Sequence, residues 1–208
     1  MKMQKGYILA IEAAIGGGSL SLVRDGVEVA GRTGTVVKAE LLLEAVRSLL
    51  VEEGIEGAQV DRIAVGAGPG SFTGIRIGIA TALGLRSGSG SSLNIVPTLE
   101  AIANCNGTNG EFIVAVPTGR GAVAARKFER MSDMCVARDE ARIISESDFL
   151  SSIMSAKKAV LVHDDIAAKL EPDSNIFNIG RDLSSAIGLY AHRHPDVQVE
   201  PIFLSKNF

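Results

Sequence analysis

Four groups of residues in this chain have the types and spacing for chemistry. The first is the run from Gly66 to Leu85, GAGPGSFTGIRIGIATALGL. Its opening glycines permit backbone angles closed to other residues, and they let a ligand or another backbone approach closely. Ser71 stands where a helical turn should start and is a natural N-cap. A glycine-rich turn feeding a helix N-terminus serves as an anion site or as a tight docking surface. The second group is Glu12, placed like an active-site carboxylate at a strand end, with Gly16-Gly17-Gly18 and Ser19 beside it. That layout fits a relic nucleotide pocket, or a tight hairpin with a solvated glutamate. The third group, His163-Asp164-Asp165, follows a strand and has acid–base character. No Ser or Cys nucleophile is tied to it by any motif, so a solvated loop is the simpler reading. The fourth group, His192 and His194, lies two residues apart near a helix end, on different faces. Interaction with the helix dipole explains these two better than a metal does.

The register of the glycine run argues against phosphate binding. A P-loop places Lys and then Ser or Thr after its last glycine. Here Ile75-Arg76 follows Gly74. Glycines 68, 70 and 74 read GxGxxxG, one place off the dinucleotide fingerprint. Beyond the turn, Phe72, Ile75, Ile79 and Leu83 share a helix face at steps of three and four. Gly74 and Gly78 make a small-residue ridge on an adjoining face. Each glycine costs about 1 kcal/mol against alanine inside a helix. The ridge therefore implies a close neighbour, either the chain's own sheet or another protein. The preceding segment favours another protein, because Leu41, Leu42, Leu43, Ala45, Val46, Leu49, Leu50 and Val51 cover more than one helix face. One face covers the sheet, which leaves leucines for a partner. Arg76 could pair with an acidic partner group or a phosphate, or lie as a snorkelling surface arginine.

Composition removes several classes. The chain has 208 residues, 46% apolar and 22% charged, with a net charge of −3. Broad nucleic-acid binding needs a basic excess that this chain lacks. There is no Trp and aromatics are 4%, so base stacking has few platforms. Cys105 and Cys135 form no CxxC, which fits a reducing compartment. The N-terminal apolar stretch is short and broken by Glu12, a poor signal peptide. No apolar run approaches the roughly 20 residues of a membrane span. A cytoplasmic location is the expectation.

The elements that must position these groups read as α/β. Tyr7–Ile11, Ser19–Arg24 and Val27–Gly31 form a meander turned at Gly16–Gly18 and Asp25-Gly26. A helix over Lys38–Glu53 ends at Gly54. The strand Arg62–Gly66 feeds the glycine turn and a helix from Ser71 to about Arg86. Residues 87–92, SGSGSS, read as a flexible polar stretch. A strand over Asn94–Pro97 leads to Thr98, a cap for the helix Leu99–Ala103. The composition break at 104–110 divides an N-terminal lobe, 1–103, from a smaller C-terminal lobe, 111–208. There the strands Phe112–Pro117, Val123–Glu129, Lys158–Val162 and Asn175–Ile179 accompany helices over Glu146–Ala156 and Arg181–His194. Pro201–Leu204 reads as a last edge strand. Three strands, then helix, strand and helix, followed by a degenerate second version, suggest two related lobes.

The stretch Gly68–Leu85, GPGSFTGIRIGIATALGL, closely resembles the signature of the bacterial TsaB family, also called YeaZ, of threonylcarbamoyladenosine biosynthesis proteins. The rest of the chain is compatible in length and element order, down to the closing PIFLS. The resemblance implies a two-lobed actin/Hsp70-like nucleotidase fold (ASKHA, ribonuclease H-like) with mixed central sheets. It implies a non-catalytic scaffold that activates the related subunit TsaD and works with the ATPase TsaE. Together these attach threonylcarbamoyl to the adenosine beside the anticodon. This chain would then need no cofactor, ATP being used by the wider complex, and would meet tRNA through that complex. Alone, it would form a homodimer. The family docks through its two N-terminal helices. The expected interface is Leu41, Leu42, Ala45 and Leu49 on the first. On the second it is Gly68, Pro69, Gly70, Ser71, Phe72, Thr73, Gly74, Ile75, Arg76, Gly78, Ile79 and Leu83. Departures are informative. The family's first strand ends in Asp and then Thr or Ser, where this chain has Glu12-Ala13-Ala14. Asp-Ala-Arg and Glu-Val-Tyr of the second lobe are replaced by Thr118-Gly119-Arg120 and Ala122-Val123-Ala124. Lys38 stands where a His commonly opens the first helix. Losing the Asp removes the fold's usual metal-phosphate anchor. Glu12, Gly17, Gly18 and Ser19 remain the only cofactor-binding candidates, with no catalytic or metal-binding residue expected. The other reading is an independent ATPase or glycoprotease-like peptidase of the same fold.

Overall fold

The structure, a computed structural model, describes residues 6–34, 39–153, 158–171 and 173–204. Strands β1 (Tyr7–Glu12), β2 (Ser19–Arg24) and β3 (Val27–Thr33) form the N-terminal meander. Helix α1 (Ala39–Glu52), a single 3-10 turn at Gly57–Gln59, β4 (Val60–Gly66), α2 (Phe72–Ser89), β5 (Ser92–Val96) and α3 (Thr98–Cys105) complete the first half. The second half runs β6 (Gly110–Gly119), β7 (Ala122–Met131), β8 (Met134–Ala137), β9 (Arg142–Ser145), α4 (Glu146–Ile153), β10 (Ala159–Val162), α5 (Asp164–Ala167), β11 (Ile176–Asn178) and α6 (Ser184–Arg193).

The two sheets share one topology. The first has the order β3-β2-β1-β4-β5 and the second β11-β10-β6-β7-β8, with β9 also on β7. In each, the first strand pairs antiparallel with its hairpin partner and parallel with the strand that follows the first crossover helix. The duplicated element order thus holds at the level of strand pairing. The architecture is α/β, built on two mixed sheets of matching strand order.

Alternation along β1 explains the layers. Leu9 and Ile11 join α1 and α2 through Leu42, Val46, Leu49 and Ala82. Ile8 and Ala10 face the other way, toward Ile187 and Ala191 of α6. A strand covered on both faces reads as an unbroken apolar run, as YILAI does. Between the sheets lie α3 and α6, and the exchange of these two helices ties the halves together. Leu99, Ile102 and Ala103 of α3 pack on Phe112, Val114 and Phe128 of the second sheet. Helix α6, from the far end of the chain, packs instead on the first sheet. Beyond it the chain runs along β5, where Asn94 Nδ2 donates to the carbonyls of Pro195 and Val197 at 2.9 Å each. The break at 104–110 therefore separates the sheets but not the helices. It also overlaps the end of α3 and the start of β6.

Three local expectations are corrected. The SGSGSS stretch is not a flexible linker, since 87–89 extend α2, Gly90 caps it with φ +70°, and Ser92 opens β5. Ser87 and Ser89 return their hydroxyls to the carbonyls of Leu83 and Leu85, so serines that read as loop formers are absorbed by the helix. Thr98 is not the cap of α3. Pro97 holds that position, and Thr98 lies inside the helix, fully buried. Pro201–Leu204 forms no strand among the described residues; Ile202 N donates one bond to Ala67 O at 2.8 Å. Two strands, β8 and β9, were not foreseen.

Candidate docking site and the carboxylate behind it

The glycine turn and α2 form as their residues dictate. Ser71 caps α2, its side chain accepting from Gly74 N at 3.4 Å, and Arg86 sits in the last turn. The glycine ridge points inward, at a turn that follows β1. A Cβ on Gly74 would stand 2.7 Å from Ala14 Cα and closer still to the Ala13 carbonyl oxygen. On Gly70 it would meet Ala14 Cβ at 2.6 Å, and on Gly78 Ala13 Cβ at 3.2 Å. Ser71 N donates to Ala14 O at 2.8 Å. The ridge thus serves the chain's own 13–15 turn rather than a partner helix. Gly68, with φ +92°, is closed in by Ile75 and the Ile202 carbonyl.

That inward use corrects the interface expected from sequence. Leu42, Ala45, Leu49, Gly68, Pro69, Gly74, Ile75 and Gly78 are buried in the chain's own core. Their side chains or Cα hydrogens already have neighbours, so none is free for a partner. Gly70, Ser71 and Ile79 are half-buried. Exposed from the expected set are Leu41, Phe72, Thr73, Arg76 and Leu83. Lys38 lies outside the described residues. Sequence reasoning missed two exposed members, Leu43 at 54% and Val51 at 68%. The signal for them was present in the second apolar face of α1.

The exposed residues are spread over both α1 and α2. The Arg76 guanidinium covers the Phe72 ring, 3.8 Å from its centroid, a cation–π pair on an exposed side chain. Phe72 also meets Phe203 of the C-terminal segment at 4.8 Å between centroids. Further along α2, Leu43, Gly57, Ala58, Thr81, Gly84, Leu85, Gly88 and Ser89 line a groove of about 930 Å³. A second cavity of about 700 Å³ lies between the first turn of α2 and the β6–β7 turn, Thr118–Arg120.

Behind this surface sits Glu12, 1% exposed. Its two carboxyl oxygens accept from Ala14 N and Ile15 N, each at 2.9 Å. Burial pushes its pKa up to about 7, against the pull of those backbone donors. Both oxygens are engaged by the chain's own turn, so the solvated glutamate expected as one alternative is excluded. Gly16, Gly17 and Gly18 all have left-handed φ, between +55° and +84°. Gly16 is pressed by the His163 imidazole, and Ser19 Oγ accepts from Ser184 N at 2.9 Å.

His163 is a second correction, because it is no solvated loop residue. It is buried, caps α5 by accepting from Asp165 N at 3.2 Å, and has its pKa lowered by burial. Asp164 pairs with Arg181 at 2.7 Å. His192 and His194 lie at the end of α6, where a dipole contact was expected. No group of three or more His, Cys, Asp or Glu side chains among the described residues is arranged to hold a metal. A polar cluster that sequence did not suggest joins β2, β3 and α6. Ser21 Oγ lies 2.8 Å from Glu28 and 2.7 Å from Ser184 Oγ, and Ser184 donates to Asp182 at 2.7 Å. Its members are 2 to 163 residues apart, and the long separations carry no local signal.

Comparison with known proteins gives the chain's relatives. A family model described as TsaD: tRNA N6-adenosine threonylcarbamoyltransferase matches residues 38–154, which include α1, the glycine turn and α2. The tRNA threonylcarbamoyladenosine biosynthesis protein TsaB of Escherichia coli (strain K12) is 37% identical over 101 residues, 46% of this chain and 42% of that protein. TsaB of Haemophilus influenzae (strain ATCC 51907 / DSM 11121 / KW20 / Rd) is 34% identical over 106 residues, 49% of this chain and 43% of that protein. The matches thus span less than half the length of these curated relatives. Among solved structures, YeaZ from Pseudomonas aeruginosa aligns over 96% of this chain and 100% of its own, with a TM-score of 0.69 and 19% identity. A protein with similarity to peptidase YEAZ from the same organism aligns over the same shares with a TM-score of 0.70, also at 19% identity. At that identity the likeness concerns the fold. Among the described residues, no helix is long and apolar enough to cross a membrane.

Proposed function

This chain belongs to the family described as TsaD: tRNA N6-adenosine threonylcarbamoyltransferase, within its TsaB/YeaZ group, and from that premise we propose that it is a non-catalytic docking subunit. It binds and activates a TsaD-type protein in the cytoplasm, in the complex that adds threonylcarbamoyl to the adenosine beside the tRNA anticodon. TsaE and ATP belong to that wider machinery, and tRNA is met through it. The observation that carries this reading is the two-sidedness of α2. Gly74 and Gly78 pack on the chain's own turn after β1, while Phe72, Thr73, Arg76 and Leu83 stay exposed, as do Leu41, Leu43 and Val51 of α1. Apolar side chains clustered at the surface next to a groove mark an interaction face. In the absence of the partner, the same face supports self-pairing. The placement of Glu12 supports a structural role for it, because it is buried and each of its oxygens accepts from a backbone N–H of the following turn.

The test is joint purification with a TsaD-type protein and, separately, calorimetry of the isolated chain with ATP and magnesium. Stable co-elution with no stoichiometric heat of nucleotide binding is the expected result. Tight one-to-one ATP binding by the isolated chain would favour an independent ATPase instead.

A further inference from the structure

The expected interface treats α2 as a self-sufficient helix, yet its placement depends on a residue far from its exposed face. The connection runs through four contacts. Glu12 holds Ala14 N and Ile15 N, each at 2.9 Å. The Ala14 carbonyl of the same turn accepts from Ser71 N at 2.8 Å, at the first residue before α2. Ala13 and Ala14 fill the space that side chains at Gly70, Gly74 and Gly78 would occupy, with backbone and the Ala14 methyl at Gly70, backbone at Gly74 and the Ala13 methyl at Gly78. On the opposite side of the first α2 turn stands the Phe72–Arg76 stack. From Glu12 to the exposed aromatic the contacts are continuous: hydrogen bonds hold the turn, and α2 sits on Ala13 and Ala14 through its glycines.

We propose that Glu12 is the positioning residue of the docking surface, fixing the 13–15 turn as the seat on which α2 is set. A carboxylate at the end of a central strand, with both oxygens turned onto its own backbone, acts as an internal strut. The docking face is therefore preorganised without any ligand, which lowers the cost of ordering it on association. A residue that acts this way contributes to affinity without touching the partner.

The inference rests on the docking role proposed above, so its test has one readout that needs no partner. Amide hydrogen exchange on the isolated chain follows Ala14, Ile15, Ser71 and the first turn of α2 in Glu12→Gln. The amide side chain offers one acceptor where two are needed. Exchange at these positions is expected to rise by about tenfold, as for loss of one hydrogen bond to a charged group, while β2, β4 and β7 keep their protection. A second pair of variants guards against global unfolding. Ser71 has φ −59°, which proline accepts. Ser71→Pro removes the N–H to Ala14 O, whereas Ser71→Ala keeps it and removes only the side-chain cap. Ser71→Pro is expected to weaken calorimetric binding of a TsaD-type protein by about tenfold and to speed exchange at Ala14 and Ile15. Ser71→Ala is expected to leave exchange at Ala14 and Ile15 unchanged. Unchanged exchange at 13–15 and 71–75 in Glu12→Gln, or equal behaviour of the two Ser71 variants, would overturn the proposal. A native chain that binds no TsaD-type protein would overturn the docking role alone and leave the exchange result to decide the strut.

Discussion

Glu12 makes stability fall as pH rises. Its pKa stands near 7 in the folded chain against 4.5 when unfolded, so the folded state holds the proton more tightly across that window. Protonated in both states at low pH, the residue costs nothing. As pH climbs from the unfolded toward the folded value, the unfolded chain ionises first and gains. A shift of this size corresponds to a loss on the order of 3 kcal/mol once both states are ionised. Thermal unfolding between about pH 5 and pH 8 should show the native Tm declining, with a flatter profile in Glu12→Gln. Equal slopes in the two proteins would show that the residue titrates normally. Sequence placed Glu12 correctly at the end of β1. It could not say that both oxygens serve Ala14 and Ile15, because that depends on the path of the next three residues. His163 shows the same limit: its position after a strand was legible, its burial against Gly16 was not.

At the scale of elements, α2 separates glycines that pack from glycines that do not. Gly74 abuts the Ala13 carbonyl, while a Cβ at Gly84 would meet nothing within 4 Å. Gly74→Ala must push a backbone turn aside, at a cost of about 1–3 kcal/mol, as for overpacking a filled site. Gly84→Ala should instead stabilise by up to about 1 kcal/mol through helix propensity. Urea unfolding of both variants checks the contrast, and a similar change in the two would contradict the packing of the ridge. Helix type and start were readable here because Ser71 and the apolar spacing agree. The inward use of the ridge was not readable, since a glycine pair fits an internal and an external neighbour equally well. Likewise α1 showed an excess of leucine, but only the fold sorts Leu42, Ala45 and Leu49 into the core from Leu41, Leu43 and Val51 outside. The SGSGSS stretch misled because serine and glycine favour loops on average, whereas Ser87 and Ser89 found carbonyls within their own helix.

For the whole molecule, the exchange of α3 and α6 decides how the halves cohere. A fragment ending at residue 103 loses α6, which covers Ile8, Ala10, Val23 and Ala64 on the first sheet. Its central strand would then carry one bare apolar face. Such a fragment is expected to lack a cooperative unfolding transition by circular dichroism, and a sharp transition would contradict the shared core. The repeated element order was legible in the sequence, but the swap was not, because a helix at the end of the chain carries no local mark of the sheet it will join. Docking is assigned to the exposed residues of α1 and α2. It is tested most directly by calorimetric titration of a TsaD-type protein with the native chain, Phe72→Asp and Leu43→Asp. Both positions are exposed, at 51% and 54%, so both variants should fold; Phe72→Asp also loses the contacts with Arg76 and Phe203, and the Tm of each is measured beside its binding. Binding by the native chain, weakened at least about tenfold in each variant, is the predicted result, as for truncated interface anchors. Undiminished binding by both folded variants would contradict it.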